Sequence, residues 1–193
     1  FARSMAPLMR PAAEAIAALV PAAGPIRVLD IAAGHGLFGI TIARRNPEAA
    51  IVAQDWAAVL EVAKENAAKA GVESRCAALP GSAFEVDFGS GYDFVLITNF
   101  LHHFDAATNE AFLRKVHAAL KPGGQAITLE FVPDDDRVSP RTPARFALTM
   151  LSSTVRGDAY TFAELQSMLC HAGFSDNVCR QIETQQSIII STK

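Results

Sequence analysis

Two registers of apolar spacing alternate along this chain. Short, nearly unbroken apolar runs predict strands over 26–29, 50–54, 92–98 and 125–132, with a shorter one over 73–78 and two more over 178–182 and 187–191. Between them, apolar residues three and four positions apart predict helices over 12–20, 36–44, 57–70, 110–120 and 162–172. The breaks carry turn residues: the 21–25 segment begins and ends in proline, Asn46-Pro47 closes the second helix, and Gly71 and Gly173 stand where a helix turns back through the left-handed region. Asp105 reads as an N-cap ahead of Ala106.

Strand and helix alternate until the end, which implies parallel strands with helices on both faces. The last two strands are separated only by Glu183-Thr184-Gln185-Gln186, room for a turn and nothing more, so they must pair antiparallel. The expected fold class is α/β: a doubly wound, mostly parallel seven-stranded sheet with a C-terminal antiparallel hairpin.

Composition narrows the function classes. Half of the 193 residues are hydrophobic and 19% are charged, the balance of a globular chain with a substantial core. Seventeen basic against twenty acidic residues leave a formal net charge of −3, and no Lys/Arg stripe offers a nucleic-acid groove. Cys76, Cys170 and Cys179 are odd in number and lack C-x-x-C spacing, which points to reduced thiols, a cytoplasmic setting and no zinc site. No apolar run has the length to span a bilayer, so no membrane partner is expected.

The chemistry is concentrated after the first two strands. Val28-Leu29-Asp30-Ile31-Ala32-Ala33-Gly34-His35-Gly36 takes an apolar strand into a turn of small residues and then a helix, and the second strand ends in Gln54-Asp55-Trp56. A carboxylate in the position of Asp55 accepts both hydroxyls of a ribose and repels a 2′-phosphate. The turn is Asp-x-Ala-x-Gly-x-Gly, not the Gly-x-Gly-x-x-Gly of pyrophosphate sites, no Gly-Lys-Ser/Thr follows, and Asp30 opposes a phosphate. An adenosine bearing an amino-acid tail suits it better. The fourth strand delivers Asn99-Phe100-Leu101-His102-His103-Phe104 and the fifth delivers Leu129-Glu130-Phe131. An imidazole beside a carboxylate can take a proton from a hydroxyl while the carboxylate fixes its tautomer. Adjacent histidines point apart, and no further ligand completes a metal set.

These residues resemble the S-adenosylmethionine site of class I methyltransferases. The run His102-His103-Phe104-Asp105, then Leu120-Lys121-Pro122-Gly123-Gly124, Glu130, Tyr160-Thr161 and Ala172-Gly173-Phe174, is similar to the catalytic domain of small-molecule O-methyltransferases of the plant phenol, hydroxyindole and bacterial polyketide-tailoring kind. The resemblance implies S-adenosylmethionine as cofactor, turned over to S-adenosylhomocysteine. It implies Asp30, Ala32, Gly34 and Gly36 at its methionine end, Asp55 at the ribose, and Trp56, Ser82, Ala83, Phe84 and Asn99 around the rest. It makes His102 the general base and Glu130 its partner. Met5, Met9, His103, Phe146 and Met150 then line the pocket for a small, flat methyl acceptor. Residues 1–25 would be a helix and linker flanking that pocket, and 26–193 the methyltransferase domain.

The pattern also departs from the family. Ala32 replaces a glycine, Ser82 stands where an acid often meets adenine, and a second glutamate near the base falls on Ala159, leaving Glu130 alone to orient it. An upstream dimerisation domain is expected in the family; the chain starts at Phe1 as a trimmed fragment or a natural short form, and a homodimer is left open. Trp56 also fits a core position, Asp30 a turn cap, His103 the base itself, Glu130 a surface carboxylate and Asp134-Asp135-Asp136 a solvated loop. Two alternatives to O-methylation stand beside it: a cofactor-binding module without turnover, and methylation of nitrogen or carbon.

Overall fold

The computed structural model describes residues 2–193, with side chains from Leu8 onward. Its seven strands form one sheet in the order β3-β2-β1-β4-β5-β7-β6, with β1 at Ile26–Ile31, β2 at Ala49–Asp55, β3 at Cys76–Pro80 and β4 at Tyr92–Thr98. The others are β5 at Leu120–Glu130, β6 at Ser175–Gln181 and β7 at Ser187–Thr192. The chain divides into two compact units, one ending at Leu96 and one beginning at Ile97.

In the first unit β1 runs parallel to β2, Val28 opposite Ile51, and β2 runs parallel to β3, Ile51 opposite Cys76. Three helices belong to this unit: α1 at Ala2–Leu19, α2 at Leu37–Arg45 and α3 at Ala57–Lys69. Val28, Leu29 and Ile31 of β1 are fully buried, as are Ala12, Ala13 and Ile16 of α1. The buried amide of Asn46 fastens the α1–β1 connection by donating to the carbonyls of Pro21 and Gly24, each at 3.0 Å. Arg27 lies over the Tyr92 ring, 4.7 Å from its centroid, and donates to Ser90 O.

The second unit holds α4 at Ala106–Ala119, α5 at Arg141–Ser153 and α6 at Phe162–His171. β7 runs antiparallel to both β5 and β6, Ile190 opposite Ile127 on one side and Val178 on the other. The hairpin predicted from the short 183–186 connection is therefore present. α4 is capped by Asp105, whose Oδ1 accepts from Thr108 N at 2.9 Å, and α6 by a capping box between Thr161 and Glu164.

Three local expectations need correction. The first helix starts at Ala2, well before position 12, and continues through Pro11. Residues Glu73–Arg75, expected as the start of a strand, form a single 3₁₀ turn, and β3 begins at Cys76. Helix α5 was not foreseen, because Pro140 and Pro143 bracket its first turn and read as loop; proline is tolerated there because first-turn N–H groups have no intrahelical partner.

Candidate active site

The turn after β1 gives the first unit its binding geometry. Gly34 and Gly36 have φ of 58° and 77°, the left-handed region that glycine enters without penalty, and Ala32 joins them at 51°. Holding an alanine there costs roughly 1–2 kcal/mol, so the surrounding bonds must keep it in place. Ala33 N donates to Gln54 O at 2.9 Å, and Gly34 N donates to Asp55 Oδ2 at 2.9 Å. Asp55 Oδ1 takes Trp56 N at 2.7 Å. Each Asp55 oxygen keeps a second lone pair, so the carboxylate that shapes the turn can still accept ribose hydroxyls.

Gln54 is a site residue that sequence reasoning missed. It is 1% exposed, and its Nε2 donates to Gly81 O at 2.6 Å while its Oε1 faces Ala32 N at 3.4 Å. The amide thus ties the turn after β1 to the loop after β3, where Ser82 Oγ accepts from Phe84 N at 3.3 Å. Ala83 is buried, whereas Phe84 and Trp56 expose 40% and 63% of their surface. Trp56 is not a core residue, and its ring and that of Phe84 are both partly exposed. His35, inside the turn, is also buried; its Nδ1 accepts from Leu37 N, its carbonyl accepts from Asn66 Nδ2, and burial pushes its pKa down. The small-residue turn, the acid at the end of β2 and two exposed aromatics are the residues that could hold an adenosine with an unphosphorylated tail.

Asp30 is fully buried at the end of this strand. Its Oδ2 accepts from Gly39 N at 3.0 Å, and its Oδ1 has no partner. Burial, and secondarily the charge of Asp55, push its pKa up to about 7, against the opposing pull of the Gly39 N–H.

In the second unit the strand ends bring His102 and Glu130 together. His102 Nδ1 lies 2.6 Å from Glu130 Oε2, and both side chains are nearly sealed from solvent. Glu130 Oε1 accepts from Phe100 N at 2.9 Å and from Leu101 N at 2.8 Å. One carboxylate therefore holds both the imidazole and the backbone that carries it. With Nδ1 donating to Glu130, Nε2 is the imidazole's acceptor. Ala159 is buried and offers no acid, so Glu130 is the carboxylate bonded to His102 among the described residues.

The backbone around His102 is over-determined. The buried amide of Asn109 donates to Leu101 O at 2.9 Å and to Phe104 O at 3.3 Å, and Tyr160 OH donates to Phe104 O at 2.6 Å. Burial, with the nearby charge of Asp158, pushes the Tyr160 phenol up to about 12. Gly157 packs so tightly that a Cβ there would lie 2.2 Å from His102 O. Asn99, at φ 55°, is steadied by Gln186 Nε2 donating to its Oδ1 at 2.6 Å. None of these supports has a signature in sequence, since glycine and amide side chains are common in loops of any role.

Phe146 and Met150 both sit on α5. The Phe146 ring stands edge-on to His102 with centroids 4.8 Å apart and lies 4.4 Å from Phe131, while Met150 is buried. His103 lies beside His102, ring centroids 4.3 Å apart; part of its surface is exposed, while the desolvation of its packed side and the neighbouring imidazole push its pKa down. Met9 is half-buried on α1, and the Met5 side chain lies outside the described residues. Among the described residues no group of His, Cys, Asp and Glu is arranged to hold a metal, and no helix is long and apolar enough to cross a membrane.

Residues 10–175 match the family described as "O-methyltransferase domain". The chain is 32% identical over 164 residues to 3-hydroxy-5-methyl-1-naphthoate 3-O-methyltransferase of Streptomyces sahachiroi, covering 85% of this chain and 47% of that protein. It is 26% identical over 175 residues to L-tyrosine C(3)-methyltransferase of Streptomyces lavendulae, covering 88% and 48%. A crystal structure from Nostoc punctiforme PCC 73102, carrying a provisional O-methyltransferase assignment, superposes with a TM-score of 0.96 at 52% identity, over 100% of this chain and 59% of that one. The chain spans about half the length of the curated relatives it matches.

Proposed function

Because the chain belongs to the O-methyltransferase domain family, whose cofactor is S-adenosylmethionine, we propose that it methylates a hydroxyl group on a small aromatic metabolite in the cytoplasm, with His102 as general base. The observation that carries this reading is the 2.6 Å contact between His102 Nδ1 and Glu130, with the same carboxylate pinning the backbone before the histidine. S-adenosylmethionine, when bound, supplies an electrophilic methyl group on a sulfonium. The turn at Gly34–Gly36 would hold its methionine end, with Asp55 on the ribose hydroxyls, and Trp56, Ser82, Ala83 and Phe84 around the adenine.

His102 Nε2 takes the hydroxyl proton and leaves an oxyanion on the acceptor. Glu130 stabilises the resulting imidazolium and keeps Nδ1 protonated throughout. Phe131, Phe146 and Met150 suit a flat acceptor, since aromatic rings stack and methionine adapts its shape. His103 is assigned to the same pocket.

The test has two stages. Calorimetric titration with S-adenosylhomocysteine should give binding that Asp55→Ala abolishes. Labelled methyl transfer to hydroxynaphthoates and other phenols should then be lost in His102→Ala, with cofactor binding kept. Binding without turnover on any acceptor would leave a cofactor-binding module instead. The similarity to a tyrosine C(3)-methyltransferase favours a second reading: a phenolate is nucleophilic at oxygen and at the ortho carbon, so one base serves both outcomes. NMR of the product decides, because a methoxy and an aryl methyl resonate apart.

A further inference from the structure

In the first unit β2 lies between β1 and β3, and its last two residues bond sideways in both directions. Toward β1, the Gln54 carbonyl accepts from Ala33 N at 2.9 Å, and Asp55 Oδ2 accepts from Gly34 N at 2.9 Å. Toward β3, the Asp55 carbonyl accepts from Gly81 N at 3.0 Å, and Gln54 Nε2 donates to Gly81 O at 2.6 Å. Both polar groups of the Gly81 backbone are therefore held by residues 54 and 55. Gly81, at φ 135° with a Cβ position 2.4 Å from Val86 Cγ1, is packed in place from the other side. The Gln54 side chain is the one that reaches both ways, because its Oε1 also accepts from Ala32 N at 3.4 Å. That tie falls on the residue whose φ of 51° an alanine holds only at a cost. Successive side chains of a strand point to opposite faces, so Gln54 does not share the face of Asp55. At 1% exposure it leaves no surface for a ligand to touch.

We infer, resting on the assignment of the Gly34–Gly36 turn and the 82–84 loop to the methionine and adenine ends of S-adenosylmethionine, that Gln54 is a positioning residue for the cofactor. Its buried amide fixes the two segments relative to each other, so that the two ends of one ligand meet walls already set at their separation. Pre-organisation of this kind lowers the ordering cost of binding and so acts on affinity. It places nothing on the reacting atoms, which belong to His102 and the acceptor. A substitution at Gln54 therefore weakens both ends of the ligand at once, although the side chain contacts neither, and leaves the chemical step alone.

Gln54→Leu removes the amide and keeps an apolar body in its place. Its affinity for S-adenosylhomocysteine, measured by calorimetry on the full chain, should fall by about tenfold or more. Adenosine and L-methionine, titrated separately, should each bind more weakly than they do to the parent. Ser82→Ala, a change local to one loop, should weaken adenosine and spare methionine. With an acceptor that the parent methylates, kcat of Gln54→Leu at saturating S-adenosylmethionine should stay within about twofold while KM for the cofactor rises. Gln54→Met serves should the first variant not fold. The parent alone gives a third measure: L-methionine should slow hydrogen exchange at the 82–84 amides, which lie at the other end of the ligand. The proposal is overturned by unchanged S-adenosylhomocysteine affinity in a folded variant, by a loss confined to one fragment, by a fall in kcat with KM unchanged, or by 82–84 exchange indifferent to methionine. A parent that binds no S-adenosylhomocysteine overturns the site assignment beneath the proposal, and the proposal with it, which sets that result apart from the other four.

Discussion

Asp30 makes the folding free energy of this chain depend on pH in a direction opposite to that of a paired carboxylate. Its pKa rises from 3.8 to about 7 because it is buried, with Asp55 adding a like charge. The folded state therefore binds a proton that the unfolded state has lost between these two values. Stability is fully present below the unfolded pKa and is lost as pH rises through the folded one. Integrating that difference for one group gives a loss of about 2.5 kcal/mol between pH 5 and pH 8. Asp30→Asn keeps an acceptor for Gly39 N–H and cannot ionise, so its stability should lack this component. The assay is urea unfolding of both proteins at pH 5, 6, 7 and 8 without ligand, read as the difference between their free energies at each pH, so that all other titrating groups cancel. The variant should gain on the parent steadily from pH 5 to 8. Curves that stay parallel to within about 1 kcal/mol, or a parent that gains on the variant, would refute the reasoning.

Three further outcomes follow from the second unit. Glu130→Gln keeps an acceptor for Phe100 and Leu101 but presents an N–H₂ to His102 Nδ1, which forces the opposite tautomer and removes the acceptor at Nε2; kcat should fall roughly 10²–10⁴-fold with S-adenosylhomocysteine affinity unchanged by calorimetry. Gly157→Ala places a Cβ 2.2 Å from His102 O, so the backbone must move; about 1–3 kcal/mol of stability should be lost in denaturant titration, together with turnover. Thr161→Ala removes half of the α6 capping box and should cost about 1 kcal/mol, a drop of roughly 2–4 °C in thermal midpoint by calorimetry, without changing kcat.

The fold was largely legible because its strands are apolar runs and its stops are glycine or proline. Tyr92–Thr98 is read to the residue, since it is buried along nearly its whole length and bounded by polar loop. Helix α5 was hidden by its two prolines and by surface residues along much of its length, with Leu148 and Leu151 exposed, so its apolar spacing did not mark a core face. In the candidate site, the titratable residues Asp30, Asp55, His102 and Glu130 were legible because they stand at or near the C-terminal ends of apolar strands. Their supports did not. Gln54, Asn109 and Gln186 act through buried amides whose partners are distant backbone and side-chain groups, and a linear sequence records no such pairing.

One arrangement outside the candidate site bears on how such a chain changes over generations. Arg137 donates to Asp158 at 3.0 Å and to Glu164, so the segment leading into α5 is stitched to the segment leading out of it. The stitch uses no residue of Arg141–Ser153 itself. The helix carrying Phe146 and Met150 is thus spliced between two points that hold each other whatever lies between them. Its side chains can drift while the anchoring knot stays fixed, and a segment grafted from a relative between positions 138 and 157 inherits the same anchorage. The side chains of this helix and the anchorage of the segment that carries it are, at this place, separately heritable.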